Sequence, residues 1–60
     1  MRTEEIERLA RAAHRGYCKA YLKNTGKEYW TGGDYDKLDE KTKEIDRIVV
    51  IEIMHEYRYK

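Results

Sequence analysis

Two long apolar-periodic stretches, joined by one polar segment that holds glycines, constrain this chain most; no proline bends either of them. In the first, Ile6, Leu9, Ala10, Ala13, Tyr17, Ala20 and Tyr21 recur at i, i+3, i+4 and i+7, the rhythm of one helical face. Residues 3 to 23 are therefore predicted as an amphipathic helix. Thr3 is placed to cap its start, and Glu4 and Glu5 suit the positive end of the helix dipole. Asn24-Thr25-Gly26 supplies the stop, with Gly26 suited to a left-handed cap. Gly16, mid-helix, costs roughly 1 kcal/mol against alanine. It is either a tolerated weak spot or a place where another backbone or a ligand comes close.

The second stretch opens at Asp39, a good N-cap followed by Glu40, and is predicted as a helix to about Tyr57. Its run Ile48-Val49-Val50-Ile51-Glu52-Ile53-Met54 is rich in β-branched residues and could equally be a strand. Helix is preferred because residues 39 to 44 lead into it with no breaker. Its core face is expected to be Ile45, Ile48, Val49 and Ile53. Glu52 interrupts that face, and a carboxylate there needs a partner or a shifted pKa. Val50, Ile51 and Met54 then fall on the opposite side. A helix that is apolar all round is normally covered all round. In a chain of 60 residues the second cover has to come from another copy. The expectation is a homo-oligomer with Val50, Ile51, Met54 and Tyr57 in the contact, the tail Arg58-Tyr59-Lys60 fraying or joining it.

Length supports that expectation. One domain of this size buries only about 60% of the surface its unfolded chain exposes, and such scaffolds usually need a staple. Cys18 is the one cysteine, so no internal disulfide can form, which fits a reducing compartment. No apolar run approaches the roughly 18 residues of a membrane span. No apolar signal-peptide region follows Met1-Arg2-Thr3-Glu4-Glu5, so a cytoplasmic protein with no membrane partner is expected. A net charge of +1 and a pI near 7.8 lack the global basic footprint of a nucleic-acid binder.

Six Tyr and one Trp stand against no Phe, so every aromatic ring carries a polar tip. Such rings suit an interface or the wall of a pocket for a planar ligand. Tyr29, Trp30 and Tyr35 crowd the connecting loop around Thr31-Gly32-Gly33-Asp34, where the glycine pair permits a sharp bend or a close backbone approach. Tyr35 and Leu38 are expected to pin the far end of the loop to the core. Arg8, Arg11, Arg15 and Lys19 line one side of the first helix within roughly 80° of one another. Such a row either contacts phosphates or is a solvated face. Arg47 could grip a phosphate bidentately, or join an ion-pair lattice with Asp46 and Lys43. His14 and Cys18, one turn apart, could be a base and nucleophile, or two metal ligands with His55 as a third; no orienting third residue and no paired cysteine spacing accompany them. Ordinary packing or ligand lining is the preferred reading, with no catalytic or metal site.

Two stretches together resemble the ryanodine-receptor-type (RyR) domain, in the short form met in bacterial and phage proteins. Arg15-Gly16-Tyr17-Cys18 is similar to an Arg-Ala-Tyr-Cys-like string of that family. Tyr35-Asp36-Lys37-Leu38-Asp39-Glu40 with Lys43-Glu44-Ile45-Asp46-Arg47 resembles the aromatic-x-x-Leu entry to its second helix and its Lys-Glu-x-Asp-Arg segment. Trp30 stands near the Trp of the family's connecting loop, and the resemblance spans about residues 6 to 57. Arg11 stands where related short forms often have His, His14 where they have Asn, and the loop lacks their proline. The resemblance implies a compact helical unit, often repeated or paired, without catalytic machinery. It also implies recognition of nucleotide-derived signals in conflicts between phage and host, where a domain without an effector would act as a sponge.

The expected architecture is thus mainly α, a single RyR-like helix–aromatic loop–helix unit over residues 1–60 completed by homo-oligomerisation. The expected function is non-enzymatic binding of a small nucleotide-type ligand, a cyclic dinucleotide or ADP-ribose type, with no cofactor. Arg11, His14, Arg15, Tyr17, Tyr29, Trp30, Gly32, Gly33, Tyr35 and Arg47 are the expected ligand contacts. The alternative is a protein-interaction module that uses the aromatic loop on a host protein; nucleic-acid binding, resting on the Arg8–Lys19 row alone, ranks below both.

Overall fold

The computed structural model describes residues 2–58 and holds two helices: α1, Thr3–Thr25, and α2, Glu40–Arg58. A single 3-10 turn, Tyr35–Lys37, lies on the connection between them. Among the described residues there is no strand, so the β-branched run is helical. Residues 59 and 60 of the expected tail contact lie outside the described residues.

The helix ends follow local chemistry with one departure. Arg2, not Thr3, is the residue before the first helical turn, and no side chain caps it. Ile6 N–H donates to the Arg2 carbonyl at 3.1 Å, which makes Thr3 helical already. At the other end Gly26 takes φ +73° and its N–H donates to the Leu22 carbonyl at 2.8 Å. The Thr25 hydroxyl donates to the Tyr21 carbonyl at 2.7 Å and closes the last turn from the side. Asp39 caps α2 as expected, its carboxylate accepting from Thr42 N–H at 2.9 Å.

The core is small: Ala10, Tyr35, Leu38 and Val50, with Ile6, Leu9, Ala13 and Met54 packed around it. Tyr35 and Leu38 pin the loop to the helices as expected. The faces of α2, however, are exchanged. Val50 is buried and Met54 packs beside it, while Ile45, Ile48, Val49 and Ile53 are exposed, and Glu52 is exposed with them. The expected contact set of Val50, Ile51, Met54 and Tyr57 is therefore corrected. Val50 and Met54 close the chain's own core, Ile51 is half-buried, and only Tyr57 stands clear, at 82% exposure.

The reason lies in the polar residues that share the Val50 face. Lys43, Arg47, Val50 and Met54 follow one another at helical spacing. Lys43 Nζ sits 5.5 Å from the centre of the Tyr35 ring, and Arg47 pairs with Glu7 of α1 and, at 3.1 Å, with Glu40. Turning the greasier stripe inward would carry both cations away from the tyrosine and from Glu7. On α1 the inward residues are Ile6, Leu9, Ala10 and Ala13. Tyr17 and Ala20 are exposed, and in the second half of that helix the Tyr17 and Tyr21 rings meet the loop at Tyr29.

Candidate ligand cleft between α1 and the aromatic loop

The loop folds onto the second half of α1 through Tyr29. Its ring meets Tyr17 at 5.0 Å, Tyr21 at 5.3 Å and His14 at 5.9 Å between centroids, each edge to face. Trp30 tilts against Tyr29 at 6.0 Å but is 64% exposed. Edge-to-face pairs of this kind add about 0.5–1.5 kcal/mol each beyond the area they bury, so Tyr29 is the hinge pin of the loop.

Behind Tyr29 the chain turns tightly. Gly32 N–H donates to the Tyr29 carbonyl at 2.9 Å, and Asp34 N–H to the Thr31 carbonyl at 3.1 Å. Gly32 and Gly33 have φ of +62° and +93°, backbone states that only glycine adopts without strain. Space is not their reason, since a Cβ at either would meet nothing within 4 Å. Thr31, between Tyr29 and the glycines, is buried, and its hydroxyl lies 2.7 Å from His14 Nε2.

His14 links this turn to both helices. Cys18 Sγ lies 3.5 Å from the same Nε2, and Asp46 of α2 lies 3.9 Å from Nδ1. The tautomer that fits both neighbours carries its proton on Nδ1, toward the carboxylate, and accepts at Nε2 from Thr31. Gly33 N–H donates to the Thr31 hydroxyl at 3.3 Å, extending the chain of contacts into the glycine pair. Asp46 is the third residue that sequence spacing did not reveal: it comes from α2, 32 positions beyond His14. One Asp46 oxygen is buried without a hydrogen bond, and burial pushes its carboxyl above the ordinary aspartate value, with His14 pulling the other way. The nearest partner of the imidazole is the Thr31 hydroxyl rather than the thiol.

Two hollows flank Tyr29. The first, about 270 Å³, is walled by Arg15, Cys18, Lys19 and Leu22 of α1 and by Glu28, Tyr29, Gly32 and Gly33 of the loop. The second, about 220 Å³, is walled by His14, Tyr17 and Tyr29 together with Thr42, Ile45 and Asp46 of α2. Among the described residues no group of three or more His, Cys, Asp or Glu side chains is placed to hold a metal ion.

Of the expected ligand contacts, Arg15, Tyr29, Gly32 and Gly33 line the first hollow, and His14, Tyr17 and Tyr29 the second. Trp30 stands beside them at the surface. Three other expected contacts lie outside both hollows. Tyr35 is 2% exposed and belongs to the core. Arg11 is held by Asp36 at 2.9 Å and lies over the Tyr35 ring at 5.1 Å. Arg47 is held by Glu7 and Glu40, the ion-pair alternative with different partners. The pairing with Glu40 and Glu7 raises its pKa further above the ordinary guanidinium value. Arg11 and Arg47 therefore act as struts between elements. Leu22 and Glu28 were missed as walls, although Arg15, Cys18, Lys19 and Leu22 keep i, i+3, i+4, i+7 spacing along the sequence; Lys19 entered only in the charged row and Cys18 only as packing or ligand lining. Thr31 carried no signal beyond its place before the glycines.

The chain matches no family model, no curated protein and no solved structure. Geometry and residue chemistry carry the functional reading. No described helix is long and apolar enough to cross a membrane.

Proposed function

We propose that this protein binds a small nucleotide-type ligand without turning it over, in the cleft between α1 and the aromatic loop. The observation that carries the reading is the pairing of walls. Arg15 and Lys19 stand on one side, and the Tyr29 ring with the Gly32–Gly33 backbone on the other. Cations one turn apart can neutralise a phosphate, an aromatic edge or face can pack against a base, and the absence of side chains at the glycines lets a ligand approach the main chain. At about 270 Å³ the cleft is just below the range of roughly 300–1,000 Å³ usual for small-molecule pockets. One copy thus holds part of a dinucleotide-sized ligand, or a mononucleotide portion such as an ADP-ribose headgroup.

The same walls fit the RyR-like reading, in which Arg15 and Cys18 belong to the first resembling string. On that reading the protein sequesters a cyclic dinucleotide or ADP-ribose-type signal in the cytoplasm, as a phage counter-defence sponge would. Titration calorimetry with cyclic dinucleotides and ADP-ribose derivatives tests it. Binding by the wild-type chain, weakened at least about tenfold in Arg15→Ala and in Lys19→Ala, is expected from the loss of a charge-assisted contact. Absence of heat with every compound overturns the proposal.

One observation favours the second reading. Trp30, the largest side chain of the loop, is 64% exposed and outside the walls of both hollows. An exposed tryptophan is a common anchor for a protein partner. A host protein captured by the wild type and lost in Trp30→Ala, with calorimetry silent, would select that reading.

A further inference from the structure

We propose that α2 is the interface between two copies of this chain, and that the two α2 helices pack antiparallel through Ile45, Ile48, Val49 and Ile53. This goes beyond ligand binding and does not depend on it.

The exposure pattern comes first. Those four residues are between 46% and 62% exposed and form one stripe, interrupted by the exposed Glu52, on the side of α2 opposite Val50 and Met54. The stripe does not end at the helix edge. Ile53 also borders an apolar groove of about 330 Å³ that Leu9, Ala12 and Ala13 of α1 line together with Val50 and Met54. Alanines there leave room for side chains of a second helix, so the stripe and the groove make one apolar surface across both helices. Four such helices, two from each copy, give the layout of a four-helix bundle. Among the described residues the buried core of one copy holds four apolar residues, which is little for a chain this long. A nonspecific sticky patch would be a liability on a monomer.

Charge decides that the occupant is a second copy and which way it runs. Lys41 lies near the start of α2, and Glu52 and Glu56 lie toward its end; all three are exposed. Centring the crossing between Ile48 and Val49 in an antiparallel pair sets Lys41 of each copy against Glu56 of the other, at equal distances along the helix. It also sets Glu52 of each copy opposite Ile45 of the other, one helical turn from that copy's Lys41. A parallel pair would set Lys41 on Lys41, Glu52 on Glu52 and Glu56 on Glu56, which repel. Ile45 additionally borders the hollow beside Tyr29, so the second copy would form a further wall of that recess.

Sedimentation equilibrium of the full chain, without any ligand, tests this. The expected wild-type mass at micromolar concentration is about twice the 7.3 kDa of the chain. Ile53→Glu is expected to raise the dissociation constant at least about tenfold, as for a central contact residue. Far-UV circular dichroism should stay helical, because Ile53 is not in the core. Lys41→Glu is expected to weaken the dimer, and the double change Lys41→Glu with Glu56→Lys to restore it. A wild-type monomer, a dimer unmoved by Ile53→Glu, or a double change no better than Lys41→Glu alone would each overturn the proposal. Calorimetry with ligand plays no part in that readout, so the cleft and the interface can fail separately.

Discussion

Tyr35 shows at the scale of one residue how a polar aromatic can serve the core instead of a ligand. Its ring is buried, with the Arg11 guanidinium 5.1 Å and the Lys43 ammonium 5.5 Å from its centre. Three elements meet on that ring. Its hydroxyl is buried without a hydrogen bond. Burial pushes the phenol pKa up and the neighbouring Glu7 carboxylate pushes the same way, while Arg47 pulls it down. The ring and the hydroxyl are therefore expected to have opposite value. Tyr35→Ala should cost about 3–5 kcal/mol, as for other large-to-small core changes. A 60-residue domain holds on the order of 3–9 kcal/mol in all, so this variant should lose from about a third to all of its stability. Tyr35→Phe removes an unpaired buried group and should leave stability equal or higher. Urea unfolding followed by circular dichroism measures both, and a large loss in Tyr35→Phe would show that the hydroxyl is bonded after all.

At the scale of elements, two glycines in or beside α1 separate propensity from geometry. Gly16 is helical, exposed and has open space around its missing side chain, so close approach by a neighbour does not explain it. Gly16→Ala is expected to stabilise the fold by about 1 kcal/mol. Gly26, also in open space, holds φ +73°, and alanine there should cost about 1 kcal/mol. Thermal unfolding of the two variants should move in opposite directions; a shared sign would mean that α1 does not end at Gly26. For α2, propensity alone did not separate helix from strand in residues 48 to 54. The Asp39 cap and the absence of a breaker did favour helix, and that reasoning agrees with the structure. The direction in which the helix faces was a different matter. Counting apolar residues selects the stripe of Ile45, Ile48, Val49 and Ile53; Glu52, which interrupts that face and is exposed, is a local sign against that choice.

At the scale of the molecule, two helices and a short turn are held by a small core plus a few charged links. Arg11 holds the Asp36 carboxyl below the ordinary aspartate value through its hydrogen bond, and the bonds from Thr42 do the same for Asp39. A lowered folded-state pKa means that the contribution is full above the unfolded value, roughly 3.9. It is lost as pH falls through the folded one. Asp46 runs the other way, because burial raises its pKa: its contribution is present below the unfolded value and lost as pH rises through the folded one. The Asp36 and Asp39 contributions should make the thermal midpoint fall between about pH 5 and about pH 2. The double change Asp36→Asn with Asp39→Asn should flatten that fall. An unchanged acid slope in the double variant would remove the carboxylates from the account.

Much of the architecture was legible in the chain. Apolar spacing located both helices to within two residues, glycine and aspartate marked a stop and a start, and the glycine pair located the turn that borders the cleft. These are local properties, set by bonds and side chains a few positions apart. Which side of α2 meets α1, which arginines are tied down, and which histidine neighbour comes from the far helix are long-range facts. Glu7 and Arg47 are 40 positions apart, and His14 and Asp46 meet only after the hairpin closes. Local pattern encodes where an apolar face lies on its own helix. Only the packed structure decides which of two such faces it uses, because that choice depends on charges brought together from distant parts of the chain.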